Sequence, residues 1–242
     1  MRRWALGFLA AAVLMAVPAA ASAKSSGQSR SPKLDLTVSA PDPITGLPTA
    51  SAAWVGNPNT GNPVLVVSTG PNPALDGAYS YFDGVVTNTP VNGETIGDVN
   101  GVPGVNNIAF DYKGPLGAGA PRISLGLSDG SYVYLSAGYS SKAIGGGWYQ
   151  FNTDDRDGSQ VNQLGGGPAI IWDSLGNAFT FSGGFDPWVN MVLAHGPSTT
   201  ITSIDVVQDE NHGTVAFDNL RFDTVVFVQG GVKNFITVPP VS

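Results

Sequence analysis

One carboxylate in this chain stands where chemistry is needed to explain it. In the run Gly213-Thr-Val-Ala-Phe-Asp-Asn-Leu-Arg-Phe222, the polar pair Asp218-Asn219 interrupts the apolar residues Val215, Phe217, Leu220 and Phe222. The run reads as a late β-strand, and an acid in a strand that otherwise looks buried requires a partner. Two chemistries satisfy it. Asp218 can accept hydrogen bonds from backbone N–H groups or from Arg221. It can also ligate a structural Ca²⁺, an ion that takes about six to eight oxygen ligands.

The other candidate groups are weaker. Asn152-Thr-Asp-Asp-Arg-Asp-Gly158 is the densest acidic cluster. With Asp155 and Asp157 at the third and fifth places of an EF-hand loop, Thr153 and Leu164 fall at the first and twelfth, where oxygen ligands are required. A solvated acidic turn is the expectation there. Glycoside hydrolysis needs two carboxylates flanking one bond. The two glutamates, Glu94 and Glu210, lie far apart in Gly/Asn-rich context. His212 beside Asp209 and Glu210 reads as a surface turn, and no serine has a nucleophile-elbow context for a Ser-His-Asp arrangement. There is no cysteine, which removes thiol chemistry and zinc–thiolate sites. The glycine runs 145–147 and 165–167 are not followed by the Lys-Ser/Thr of a phosphate loop. Aromatic residues are the better ligand candidates: Trp148, Tyr149 and Trp188 first, with Trp172, Trp54, Tyr79 and Tyr81 behind them. A sugar ring stacks on an aromatic face, while Gln150 and Asn152 would reach its hydroxyls. Core packing claims most such side chains. Trp148 and Tyr149, adjacent in a strand, must face opposite ways, so one of them is expected in the core.

The elements that would position these groups are short strands. Apolar runs with β-branched and aromatic residues, punctuated by Gly, Pro and Asn, predict strands over 34–38, 52–55, 64–68, 78–86, 107–112, 122–127, 132–136, 148–151, 178–181, 200–207, 214–222 and 224–228. Ile108, Phe110 and Tyr112 alternate, as do Ile123, Leu125 and Leu127; one face in a core and one toward solvent marks antiparallel sheets. Asp129-Gly130 between two such runs is a hairpin signal. Asp186-Pro-Trp-Val-Asn-Met-Val-Leu-Ala-His-Gly196 reads as a short helix, with Asp186 as N-cap, Pro187 at the first position and Gly196 as the stop. The segment 167–175 could be a second helix. Residues 86–105 read as a long loop. No helices alternate with the strands, so the expectation is an all-β, antiparallel two-sheet β-sandwich of jelly-roll type, with one or two short helices in loops.

The order of features resembles jelly-roll domains of the carbohydrate-binding-module (galactose-binding-like) type over 34–228. The resemblance is carried by Gly61-Asn-Pro-Val-Leu-Val-Val67, Ile108-Ala-Phe-Asp-Tyr-Lys113, the Ser-Leu-Gly-Leu…Tyr-Val-Tyr-Leu hairpin, Gly147-Trp-Tyr-Gln-Phe151 and the closing Phe217-Asp-Asn-Leu-Arg-Phe222. It implies a structural Ca²⁺ held through the acid of the closing strand, here Asp218. The companion acidic motif of such domains is represented only by Asp35 and Asp42, in a different context.

Bulk properties bound the rest. Met1-Arg2-Arg3, an apolar run from Trp4 to Val17, Pro18 and Ala21-Ser-Ala23 have the form of a signal peptide, shorter than a membrane span of roughly 20 residues. The expected organisation is a signal peptide over 1–23 cleaved after Ala23, a flexible lead-in over 24–33, one sandwich over 34–229 and a tail over 230–242. Secretion follows, with no membrane span in the mature chain; a disulfide-free exported chain suits a bacterial source. Loss of Arg2 and Arg3 takes the formal charge from −7 to −9, a poor balance for binding nucleic acid. Apolar residues at 42% argue against disorder. The expectation is an exported, non-catalytic module that binds glycan or another extracellular or cell-surface polymer, with Ca²⁺ as its one candidate cofactor. A structural or adhesive protein without a small-molecule site is the alternative, and a polysaccharide hydrolase or lyase comes third.

Overall fold

Residues 213–223 carry apolar side chains at 215, 217, 220 and 222, so the alternation slips by one residue at 218–219. A strand can keep all four in one core only if it bulges there. The computed structural model has that bulge. Asp218 pairs with Asp111 and Arg221 with Ala109, so Asn219 and Leu220 together oppose Phe110. Asn219 takes φ +47°, a left-handed backbone that asparagine tolerates better than other side chains. Val215, Phe217, Leu220 and Phe222 are all buried.

The structure describes residues 34–36, 51–56, 63–68, 86–88, 95–97, 107–117, 119–208, 213–223, 225–228 and 231–234. In chain order the strands are β1 (Leu34–Leu36), β2 (Ser51–Gly56), β3 (Pro63–Ser68), β4 (Val86–Asn88), β5 (Asn107–Lys113), β6 (Arg122–Leu127), β7 (Tyr132–Ser136), β8 (Lys142–Gly145), β9 (Trp148–Asn152), β10 (Ile170–Asp173) and β11 (Ala178–Thr180). After helix α1 (Pro187–His195) come β12 (Ile201–Val207), β13 (Thr214–Asp223), β14 (Val225–Val228) and β15 (Gly231–Asn234). Two antiparallel sheets form an all-β sandwich. The first has the order β1-β4-β12-β6-β7-β10-β11. The second has β15-β14-β13-β5-β9-β8, and the long β13 also carries β3, on which β2 pairs. One buried cluster takes side chains from both sheets. Leu125, Leu135, Ile171 and Ile204 come from the first, and Leu65, Phe110, Phe151 and Phe217 from the second. Phe110 stacks on Phe151 at 5.3 Å between ring centroids and meets Phe217 at 5.6 Å.

The helix 187–195 forms as its signals require. The Asp186 carboxylate accepts the Val189 N–H at 2.8 Å, Pro187 opens the helix, and Gly196 ends it at φ +88°. Trp188 and Met191 point into the core. Three expectations need correction. The segment 167–175 holds strand β10, not a helix, because Ile171 is buried on one face while Ile170 and Trp172 lie half-buried on the other. The stretch read as a loop from Val86 begins with strand β4, which fills the place between β1 and β12. The expected tail contains β15, which extends the second sheet on β14. The strand expected over 78–85 lies outside the described residues.

The bulge gives a stability test. Asn219→Ala is expected to lose about 1–2 kcal/mol through left-handed strain and the lost hydrogen bond to Asp111. Asn219→Gly relieves the strain and should lose less. Urea unfolding of both variants checks this; equal losses would mean that backbone conformation contributes nothing.

Candidate functional site

The outer face of the first sheet is aromatic. Val133 and Leu135 of β7 face the core, so Tyr132 and Tyr134 face outward. In register, one cross-strand row runs Thr87, Asp205, Ser124, Tyr134, Trp172, Ala178. Tyr134 and Trp172 are therefore direct neighbours on adjacent strands, both half-buried. Tyr139, just beyond β7, meets the Trp172 ring at 5.9 Å and 60°. The Arg122 guanidinium lies 5.7 Å over the Tyr134 ring. It is held there by Nε donating to Ser124 Oγ at 3.0 Å and by a second donation to the Gly119 carbonyl at 2.8 Å. The Trp172 indole N–H is buried without an acceptor, which costs free energy and is uncommon in a settled fold. Burial pushes the Asp205 carboxyl up to about 6, with the charge of Arg122 pulling the other way. The face thus combines three rings, a fixed cation and hydroxyls within one sheet.

The three aromatics favoured from sequence have three different settings. Trp188 is 1% exposed in the core, so no ligand can stack on it; the helical stripe Trp188–Met191 faces inward because it closes the sandwich. Tyr149 stacks on Tyr112 at 5.3 Å and packs against the core. Trp148, its neighbour, is half-buried on the outer side of the second sheet, opposite Gly145 of β8. Trp54 packs against the core, and Tyr79 and Tyr81 lie outside the described residues.

Asp218 also lies on the outer face of the second sheet. It is half-buried, and the surroundings are polar where a buried strand was expected. Its Oδ1 accepts the Asn219 N–H at 2.8 Å. Asp111, directly opposite, is 7% exposed and accepts from Gln150 Nε2 at 3.0 Å and from Asn219 Nδ2. Burial raises the Asp111 carboxyl above its ordinary range, against the lowering effect of the two amide bonds; nearby Asp218 raises it and Arg221 lowers it. Both Asp111 oxygens thus accept from side-chain amides.

The acidic turn is more structured than a solvated loop. Asp155 is 4% exposed and accepts from Gln160 N at 3.1 Å and Ser159 Oγ at 3.2 Å. Asp155 and Asp157 border a groove of about 230 Å³ with Pro168 and Phe181. Burial raises the Asp155 carboxyl, while hydrogen bonds from Ser159 lower Asp157.

His195, which had no assigned role, is a clamp. Its Nδ1 lies 2.9 Å from Asp129 Oδ2 and its Nε2 lies 3.2 Å from Asp173 Oδ2. Ser131 Oγ donates to Asp129 at 2.6 Å and is 4% exposed. A serine, a histidine and two aspartates do meet here, although no nucleophile motif marks them. The serine hydroxyl is committed to Asp129 and the ring is 4% exposed, so the cluster ties elements together.

The chain matches no family model, no curated protein and no solved structure. The aromatic face had a readable signal. In Ser131-Tyr-Val-Tyr-Leu135 the period-two alternation puts both tyrosines on one side, away from Val133 and Leu135. Trp172 stood among the aromatic candidates, but its place beside Tyr134 had no signal, and neither did the contributions of Tyr139 and Arg122, because the fold alone brings them there.

Proposed function

We propose that this chain is an exported, non-catalytic module of jelly-roll topology that binds a glycan or another extracellular polymer on the outer face of its first sheet. The Tyr134–Trp172 cross-strand pair carries this reading. Two adjacent half-buried rings, with Tyr139 and Arg122 locked beside them, suit the stacked C–H faces of sugar rings. The signal-like N-terminus and the acidic, cysteine-free composition agree with export.

Strand pairing supports the jelly-roll part. Reading β3, β4, β5, β6, β7, β9, β12 and β13 as eight strands, the first pairs with the last, the second with the seventh, the third with the sixth and the fourth with the fifth. That is a ribbon folded back on itself and rolled into two sheets.

The test is affinity electrophoresis of the purified chain in gels containing soluble polysaccharides. Trp172→Ala and Tyr134→Ala are expected to weaken retardation about tenfold each. Trp148→Ala, on the opposite sheet, is expected to leave it unchanged. Retardation lost only with Trp148→Ala would move the site to the second sheet. A chain that no polysaccharide retards would favour a structural or adhesive role.

A further inference from the structure

Further along the same face, β12 is irregular opposite β6. Ile201 pairs with Leu127 and Ser203 with Gly126, so Thr202 is an extra residue. The bulge keeps Ile201 and Ile204 in the core while bringing Thr202 and Ser203 together opposite Gly126. Gly126 has no side chain to cover the spot. A β-carbon there would lie 2.5 Å from Ser203 Oγ, 3.1 Å from Thr202 Oγ1 and 3.5 Å from Tyr132 Cε1. The Tyr132 ring thus reaches over the glycine, an arrangement that recurs where a strand lacks a side chain, and it remains 45% exposed. Ser174 Oγ accepts the Tyr132 N–H at 2.9 Å and holds the backbone of the platform.

The chemistry of this cradle is neutral. Its three nearest atoms are two hydroxyl oxygens and a ring carbon. Neither hydroxyl has a side-chain hydrogen-bond partner among the described residues. The acids on either side are Asp129 in the adjoining turn, engaged by Ser131 and His195, and Asp205, two residues along β12 on the same face and outside the three-atom contact. Arg122 stands four residues along β6, at the other end of the strand. Two uncommitted hydroxyls, each able to donate and accept, beside an open aromatic ring suit the hydroxyls and C–H face of a neutral sugar.

We propose that Tyr132, Thr202 and Ser203, gathered around Gly126, form a subsite for one neutral hexopyranose or pentopyranose unit of a polysaccharide chain. Tyr132 stacks on the ring, and the two hydroxyls hydrogen-bond its hydroxyl groups. This inference rests on the glycan-binding reading above and names the class of sugar that the face selects.

Affinity electrophoresis with neutral polysaccharides (laminarin, galactomannan, xylan) and acidic ones (polygalacturonate, alginate) tests it. The expected result is retardation by a neutral polymer, weakened about tenfold by Tyr132→Ala and by the double variant Thr202→Ala/Ser203→Ala, and retained in Tyr132→Phe. All four side-chain changes are at accessible positions, and unchanged melting temperatures verify that the variants fold. If Trp172→Ala weakens binding but Tyr132→Ala and the double variant do not, the glycan reading stands and the subsite falls. An equal loss in Tyr132→Phe and Tyr132→Ala overturns the stacking role. Retardation by acidic polymers alone overturns the neutral class. Retardation by none of the five removes both readings.

Discussion

Replacing His195 with alanine is expected to destabilise the fold by about 3 kcal/mol, because two carboxylates lose their shared partner and one of them is buried. The His195 and Asp173 side chains are 4% and 0% exposed, whereas Asp129 is 37% exposed. Asp173 keeps three other donors: the N–H groups of Leu175 and Asn177 and the Asn177 amide. That residual satisfaction holds the expected loss near the low end for a broken buried pair. The contacts tie the C-terminal turn of α1, which belongs to no ladder, to the β6–β7 hairpin and the β10–β11 turn, which the pairing of β7 with β10 already joins. At about 2–4 °C per kcal/mol for a domain of this size, the melting temperature should fall by roughly 6–12 °C. Asp129→Asn should cost far less, since solvent screens that exposed contact. A His195→Ala variant that melts with the unmodified protein would show that the clamp is decorative.

The second large effect is a dependence on pH. Burial holds the Asp205 carboxyl at about 6, above its ordinary value of 3.8. A raised acid in the folded state favours folding fully below the ordinary value, and that advantage is lost as pH rises through about 6. Ionising Asp205 at neutral pH therefore costs about 2–3 kcal/mol. Asp111, Asp155 and Asp186 are raised in the same direction, each chiefly by burial. Asp129 moves the other way. Hydrogen bonds from Ser131 and His195 hold it at about 2, so its contribution is present above its ordinary value and is lost as pH falls toward 2. Asp157 is lowered as well, first by its bonds to Ser159. Together these shifts place maximal stability near pH 4–5. Melting temperatures from pH 3 to pH 8 check this, and Asp205→Asn should raise stability at pH 7.5 while leaving it almost unchanged at pH 4. A flat profile in the unmodified protein would remove the argument. Asp205 sits in the same cross-strand row as Tyr134 and Trp172, so the cost of ionising it falls on the proposed binding face, where proteins tolerate such expense.

Much of the strand content was legible because alternation is local. The runs at 107–113, 122–127 and 132–136 form strands with the expected faces inward, and Asp186, Pro187 and Gly196 bound the helix as their chemistry requires. The segment around Trp172 was ambiguous, since a short apolar run has no period that separates a helix from a strand. The phase slips at 218–219 and 202–203 were visible as spacings of three between core residues, yet only paired neighbours show what each bulge presents. One turns Asp218 outward and brings Asn219 onto Asp111. The other gathers two hydroxyls opposite a glycine.

The sequence by itself determined the class of this protein: an acidic, cysteine-free chain of short amphipathic strands must bury one face of each and form antiparallel sheets. It could not choose among the aromatics. Whether a ring is core or platform depends on which sheet covers it, and that is decided by contacts between residues tens of positions apart. Trp188 was drawn into the core by a helix that closes the sandwich. Trp172 was carried to Tyr134 by the pairing of β10 with β7. His195 found Asp129 and Asp173 across 66 and 22 residues. Tertiary structure made those assignments because side-chain environment is set by strand order, whereas side-chain direction is set by the alternation of the strand alone.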